Sequence, residues 1–430
     1  MKIKLMTALV AACCITPAMA QQSNITIYGI ADAGLNFSNN GGNDPKVKVV
    51  SGMADGSRLG FKGTEDLGGG YKAIFQLEAR VELDTGKNST GNLSSNTGYG
   101  LTLGMEALPP SILTAIRSAV NPATVVNTTN AIFDRTSMVG LVTPVGAVLL
   151  GRQYTPGYEV FAAADTFETG TAGSWGWVTG GLGGLLTTGS TIRSDKAIQY
   201  RIQTPEGFGG AVMYGLEKSG YIGLDKRFWA FNVTYKANGW DVGLGHNHGT
   251  DQVGNTGLVT TTVGGSYSTG SNPGDWKFFA GYQQMKNPNS VLIPVFVGTW
   301  DASIAPQLAP LGAAKAGALR NIFVTNLTRN FNLDANSYSV GAHYRLANGR
   351  IMASISHQND KTVFDSGATL YAVGYDHFLS KRTDFYTVLG VIKNKNFGQY
   401  APGVAATAGG FTEKAGDTAR SLQIGMRHKF

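Results

Sequence analysis

Six histidines could in principle do chemistry in this chain: His246, His248, His343, His357, His377 and His428. None stands in a nucleophile-elbow setting, and the only cysteines, Cys13 and Cys14, sit near the start. A covalent mechanism needs a nucleophile beside its base, and no such pair is legible. His246-x-His248 is alternate spacing, which puts both rings on one face of a strand. A metal site would need further ligands and partners that orient them, and the sequence supplies none. The Gly-rich run 180–184 lacks the Lys-Ser/Thr of a phosphate loop. The reading is therefore not an enzyme, with no metal and no cofactor. What remains is charge: basic and acidic side chains that alternate with apolar ones along many short segments.

That alternation is the signature of the elements that hold the charges. Over 71–83, Tyr71, Ala73, Phe75, Leu77, Ala79, Val81 and Leu83 share one face, and Lys72, Ile74, Gln76, Glu78, Arg80 and Glu82 share the other. In the stretch around Arg58, Leu59 and Phe61 take the apolar face, so Arg58 and Lys62 take the polar one. Around 193–202, Ile198, Tyr200 and Ile202 are apolar-facing, so Arg193, Asp195, Gln199 and Arg201 are polar-facing. The last stretch, 418–430, sets Leu422, Ile424, Met426, His428 and Phe430 against Arg427 and Lys429. Period two alone says only that the two faces differ. The spacing of turns says more. Compact turns are expected at 64–70, 143–146, 205–209, 237–239, 270–275, 346–349 and 378–381. Longer connections are expected at 38–56, 84–130, 155–192, 217–225, 249–258, 287–334, 360–366 and 394–416. Seven turns and eight long connections join sixteen strands of membrane-crossing length. The fold class expected is an all-β, 16-stranded antiparallel transmembrane β-barrel, with short periplasmic turns and long extracellular loops.

The bulk properties agree. Lys2 and Lys4, the apolar run 5–15 and Ala18-Met19-Ala20 read as a signal peptide over 1–20, leaving 21–430 as one barrel domain. A competing pattern, Val10-Ala11-Ala12-Cys13, resembles a lipoprotein processing site. Removal of 1–20 takes both cysteines and lowers the net charge from +7 by two lysines. An exported chain without disulfides needs another source of stability, and a closed hydrogen-bonded barrel is one. The modest positive excess does not call for nucleic acid. The chain holds 59 Gly with 20 Phe, 17 Tyr and 6 Trp, a composition too aromatic for a disordered secreted protein. Phe430, an aromatic end on an alternating strand, reads as an assembly signal for the barrel-assembly machinery.

Several segments resemble the general porins of β-proteobacteria, in the Gram-negative porin family. Ile25-Thr26-Ile27-Tyr28-Gly29-Ile30-Ala31-Asp32-Ala33-Gly34-Leu35 is similar to the family's first strand. Gly56-Ser57-Arg58-Leu59-Gly60-Phe61-Lys62-Gly63-Thr64-Glu65-Asp66-Leu67-Gly68-Gly69-Gly70 resembles its second strand and first turn. Leu150-Gly151-Arg152-Gln153-Tyr154 is similar to the end of the fifth strand, and 375–383 to the penultimate turn. Gly425-Met426-Arg427-His428-Lys429-Phe430 resembles its carboxy terminus. The resemblance implies an outer-membrane porin of a Gram-negative bacterium. Such a porin is a homotrimer of water-filled channels for passive diffusion of small hydrophilic solutes and ions, in contact with lipid and lipopolysaccharide. It also implies an inward-folded third loop, here 155–192, that carries Glu159, Asp165 and Glu168. Those acids would face a basic wall of Arg58, Arg135 and Arg193, with Lys62, Lys72, Arg80, Arg201 and Arg427 as other lumen charges. An excess of arginine at the narrow point would make the channel weakly anion-selective. A solute-specific anion channel and a barrel adhesin or receptor with an occluded lumen are the alternatives. Two segments depart from the family's pattern. In 84–130, Pro109-Pro110-Ser111 precedes Ile112, Leu113, Ile116, Ala119 and Val120 at helix-like spacing. That helix would pack under its own loop, or else form a lid over the mouth or a latch on a neighbouring protomer. Segment 287–334 is long and apolar in places. Both insertions could narrow the pore.

Overall fold

The computed structural model describes residues 24–42, 45–89, 99–118, 130–179, 192–216 and 226–430. The expected signal over 1–20, the run 180–184, the connection 217–225 and the helix positions Ala119 and Val120 lie outside the described residues. Strands form where alternation is cleanest. They are β1 (Asn24–Asn39), β2 in two pieces (Lys46–Ser51 and Arg58–Gly68), β3 (Tyr71–Arg80), β4 (Thr136–Thr143), β5 (Gly146–Tyr154) and β6 (Arg193–Gln203). There follow β7 (Phe208–Gly215), β8 (Phe228–Ala237), β9 (Trp240–Thr250), β10 (Thr256–Ser268) and β11 (Trp276–Asn287). The last five are β12 (Leu333–Leu346), β13 (Gly349–Asp360), β14 (Ala368–Phe378), β15 (Thr383–Asn394) and β16 (Thr418–Lys429).

Each strand pairs antiparallel with its neighbours, and β1 pairs with β16 from Ile30↔Lys429 to Asn39↔Arg420, so the sheet closes. Phe430 completes the seam: Gly29 N donates to Phe430 O at 3.0 Å, and Phe430 N to Gly29 O at 3.1 Å. Closure leaves no edge, which lets a sheet exist where no water can satisfy an open one. The outer face is apolar and uncovered; Ile25, Ile27, Val139, Val233 and Val340 are each more than half exposed. The other face is polar and buried, with Asp32, Asn36, Glu78, Gln199, Asn232, Asn247, Gln358 and Gln423 nearly inaccessible. A water-soluble sandwich would show the opposite sorting. No helix among the described residues is long and apolar enough to cross a membrane.

β2 departs from the expectation of one long connection over 38–56. Lys46–Ser51 is a strand that pairs with the upper part of β1, and the second piece pairs with its lower part. The chain leaves the wall only at 52–57. Gly52 makes that departure with φ +63, which a side chain would strain. Asp32 holds the break: its Oδ2 accepts from Ala54 N at 2.9 Å and Asp55 N at 2.6 Å, and Tyr386 OH donates to its Oδ1. No sequence periodicity marks such a break, because both halves alternate in phase.

The two insertions join each other. Helix α1 (Pro110–Ser118) starts with proline at its first position, as the spacing predicted. After 155 come α2 (Pro156–Ala164), then α3 (Leu292–Thr299), α4 (Ala305–Leu308) and α5 (Ala313–Phe331). In α5, Phe323, Leu327 and Phe331 recur at helical spacing and face Leu101, Met105, Ile116, Phe296 and Trp300 in one apolar cluster. Trp300 stacks on Phe323 at 4.6 Å between centroids. Buried Asn326 donates from Nδ2 to Leu101 O and Leu103 O, both at 2.9 Å. The helix of 84–130 therefore packs against the other insertion. The two form one helical cap on the long-loop side of the barrel.

Candidate functional site

The polar face carries two groups of arginines, each placed by where its strand stops. Arg58 opens the second piece of β2, Arg135 precedes β4, and Arg193 opens β6. Tyr154 closes β5, at a register shift between Gly151 and Gln153. These ends meet. Arg135 Nε donates to Glu78 Oε1 at 2.6 Å and its Nη2 to Tyr154 OH at 3.2 Å. Arg193 Nη2 donates to the same hydroxyl at 2.5 Å, and its guanidinium lies 4.2 Å over the Tyr154 ring. Arg58 reaches Glu78 at 3.8 Å and Asp55 at 3.4 Å. Arg193 has no carboxylate within ion-pair distance among the described residues, and its buried Nε finds no acceptor there. Beside them, Arg80 is neutralised by Asp134 at 3.1 Å and Glu82 at 3.0 Å.

These four arginines line a cavity of about 280 Å³. Tyr154, Tyr158, Trp177 and the backbone of 404–408 complete its walls, and Asp55 is the one carboxylate among the described lining residues. Low-dielectric walls and like charges concentrate a positive potential in such a space.

The second group meets the first at Asp55, which Arg58 and Arg427 both reach. Arg350 on β13 takes both Glu168 oxygens at 2.6 and 3.0 Å and Asp376 Oδ2 at 2.7 Å. Arg427 takes both Asp384 oxygens at 3.1 Å and Asp55 at 2.7 Å. Here each guanidinium has two carboxylates, so its charge is spent locally.

Segment 155–179 bridges the groups. Thr155 caps α2, its hydroxyl accepting from Tyr158 N. Asn247 and Asn232, from the polar faces of β9 and β8, bond to Thr155 and Pro156 O. Trp175 Nε1 donates to Ser337 Oγ at 2.6 Å, and His343 Nε2 lies 2.6 Å from Thr166 O. Thr171 N donates to Met53 O, on the wall break, at 2.6 Å. A Cβ at Gly170 would lie 1.9 Å from Ala54 O, so only glycine fits that approach.

The three acids expected to face the basic wall do three different things. Asp165 is fully buried and accepts from Phe167, Thr169 and Trp175 N and from Ser174 Oγ at 2.5 Å. It holds the segment's own shape. Glu168 engages Arg350. Glu159 takes Arg201 at 2.7 Å and Asn232 at 3.1 Å, beside a second space of about 930 Å³ toward the short turns. Lys62 lies 5.2 Å over the Tyr28 ring, and Lys72 is exposed near the turn after β2. Strand parity put Glu78 on this face without showing its central place, and the Tyr154 motif carried no role. Arg350, Asp376 and Asp384 were legible by the same parity and went unused. Asp55 and 404–408 had no periodic signal to find.

A model of the Gram-negative porin family matches residues 6–396. The chain is 27% identical over 427 residues to outer membrane porin protein 32 of Delftia acidovorans, covering 96% of this chain and 95% of that one. It is 25% identical to an outer membrane porin protein of Bordetella pertussis, covering 95% of each. Among solved structures it superposes on an anion-selective porin from Comamonas acidovorans with a TM-score of 0.64 at 23% identity. That match covers 95% of this chain and all of that one.

Proposed function

Since the chain belongs to the Gram-negative porin family and is a multi-pass β-barrel of the outer membrane, we propose that it is a weakly anion-selective channel for passive diffusion. Small hydrophilic solutes and ions cross through its lumen. The carrying observation is the arginine-lined cavity, where Arg58, Arg135 and Arg193 outnumber the carboxylates they meet. The anion-selective relative supports the sign.

In this reading the short turns face the periplasm and the long loops the exterior. Segment 155–179 is the inward-folded third loop, supported by its bonds to polar-face residues of β8, β9 and β12. The basic wall and Glu168 then set a transverse field across the passage. Polar solutes orient in it and apolar ones are slowed. Over separations near one Debye length, ~8 Å, the field survives physiological salt. The protomers assemble as a homotrimer, each with its own pore, among lipid and lipopolysaccharide. No covalent step is needed; the residues hold charge in fixed places while solutes pass.

The test is the reversal potential of the refolded protein in a planar bilayer under a potassium chloride gradient. Anion preference is expected. A clear cation preference would overturn the selectivity, and absence of conductance would overturn the channel.

A further inference from the structure

One lumenal element has no part in the proposal above. Between β15 and β16 the chain runs 395–417, and its middle is a hairpin: Tyr400 bridges Phe411, and Val404 bridges Thr407. Loops of exported barrels are expected to lie at the rim in water. This one is buried: Ala401 and Val404 are fully inaccessible, and Ala406 and Ala408 nearly so. Its side chains are small, so it is thin enough to enter a space already holding segment 155–179. Backbone bonds fix its tip. Ala405 N donates to Met53 O at 3.0 Å and Ala406 N to Gly52 O at 2.9 Å, both on the wall break. Arg80 Nη1 donates to Ala406 O at 2.9 Å, and Gln423 Nε2 to Gly403 O at 3.0 Å. Residues 404–408 thereby form the side of the 280 Å³ cavity that faces the arginines. The base of the hairpin is held elsewhere. Phe411 is buried in the apolar cluster of the helical cap, with Leu101, Trp300 and Leu327.

We propose that hairpin 400–411 is a lumenal finger that sets the width of the passage over the arginine cluster, and that the cap holds it there through Phe411. This rests on the channel reading. Between Tyr400 and Phe411 the finger carries no large side chain and no charge. Its tip is held by main-chain bonds to Gly52 and Met53 and by the side chains of Arg80 and Gln423. Apolar burial of Phe411 supplies the main anchor at its base. The insertions 84–130 and 287–334 thus act on the pore indirectly, by fixing a third segment.

The experiment replaces 401–410 with Gly-Ser-Gly and compares single-channel conductance and liposome swelling with neutral sugars of rising size. Conductance is expected to rise at least twofold, with larger sugars admitted. The shift in gel mobility on heating verifies that the variant has folded. Unchanged conductance in a folded, conducting variant would overturn the finger alone. A silent wild type beside a conducting variant would support it as a complete plug and overturn the open channel. Silence of both would overturn the channel reading and the finger together. Ala405→Cys gives a second readout, since the only native cysteines lie in the segment expected to be removed. Coupling a bulky thiol reagent there should cut the current by half or more. Full labelling with unaltered current would overturn the placement. Phe411→Ala should add subconductance steps, and variant traces as quiet as those of the wild type would overturn the hold by the cap.

Discussion

Two arginine groups line the polar face, joined at Asp55, and they differ in what neutralises them. Arg350 and Arg427 each take two carboxylates at 2.6–3.1 Å. Arg135 and Arg58 share Glu78, Arg58 also reaches Asp55, and Arg193 has a tyrosine. Identical side chains therefore present different charge to a passing ion. A guanidinium that meets two carboxylates offers no net positive charge a few ångströms away. An arginine held by a phenol and a ring face keeps its field. Selectivity should follow the under-paired group and stability the over-paired one.

The largest expected effect separates these roles. Arg193→Glu places an acid where an unopposed cation stood. Reversal potential should move from anion to cation preference, while the heat-induced gel shift stays near that of the wild type. If anion preference survives, the arginine cluster does not set it. Next comes the mirror experiment. Arg350→Gln leaves Glu168 and Asp376 without their cation, and unpairing a buried charge pair costs about 3–5 kcal/mol. The unfolding temperature of the refolded barrel should fall clearly, and more than for Arg193→Gln. Equal losses would erase the contrast between the groups. Arg350→Lys should recover part of the loss, since lysine restores charge without the two-pronged geometry.

Asp165 tests a third kind of acid, one that serves neither group. Asp165→Ala removes the acceptor for three backbone N–H groups and the Ser174 hydroxyl. Each orphaned buried donor costs about 1–3 kcal/mol before relaxation. The barrel, held by strand pairing, should persist. Segment 155–179 should become open to protease in the refolded protein, which limited proteolysis reads directly. Resistance equal to wild type would mean that β8, β9 and β12 fix the segment without it.

How much of this was legible depends on what fixes each residue. Strand alternation put Arg58, Lys62, Glu78, Arg80, Arg201 and Arg427 on the polar face, because a charge on the lipid side costs about 2–4 kcal/mol at midplane. The seven turns fell between strands where they were expected, because alternation stops at each of them. Alternation gives a face but no partner. It could not tell that Arg350 would meet Glu168 from 182 residues away, or that Asp165 would turn its carboxylate onto its own loop. The helix at 110–118 was readable from Pro110 and its apolar spacing. Its partner α5 was not, because an amphipathic face states what it needs buried without stating against what. The wall break at 52–57 and the small residues of 404–408 have no period, and contacts alone define them.

The smallest effect sharpens the comparison from outside both groups. Lys72 is on the polar face by parity, like Arg193, yet it is exposed and lies at the turn end of β3. Its partner in register is Asp66 on one side and Val142 on the other. Water and counter-ions surround such a charge, and beyond a Debye length of ~8 Å its field on the passage is screened. Lys72→Gln should therefore shift the permeability ratio by less than about a fifth at physiological salt. In ten-fold diluted salt the Debye length grows about three-fold, and the same substitution should then register more strongly. Arg193→Gln should instead act at both salt levels, because its guanidinium is buried against Tyr154, where salt screens a charge much less than at an exposed site. Equal salt sensitivity in the two variants would mean that the arginine cluster is as open to bulk electrolyte as the rim.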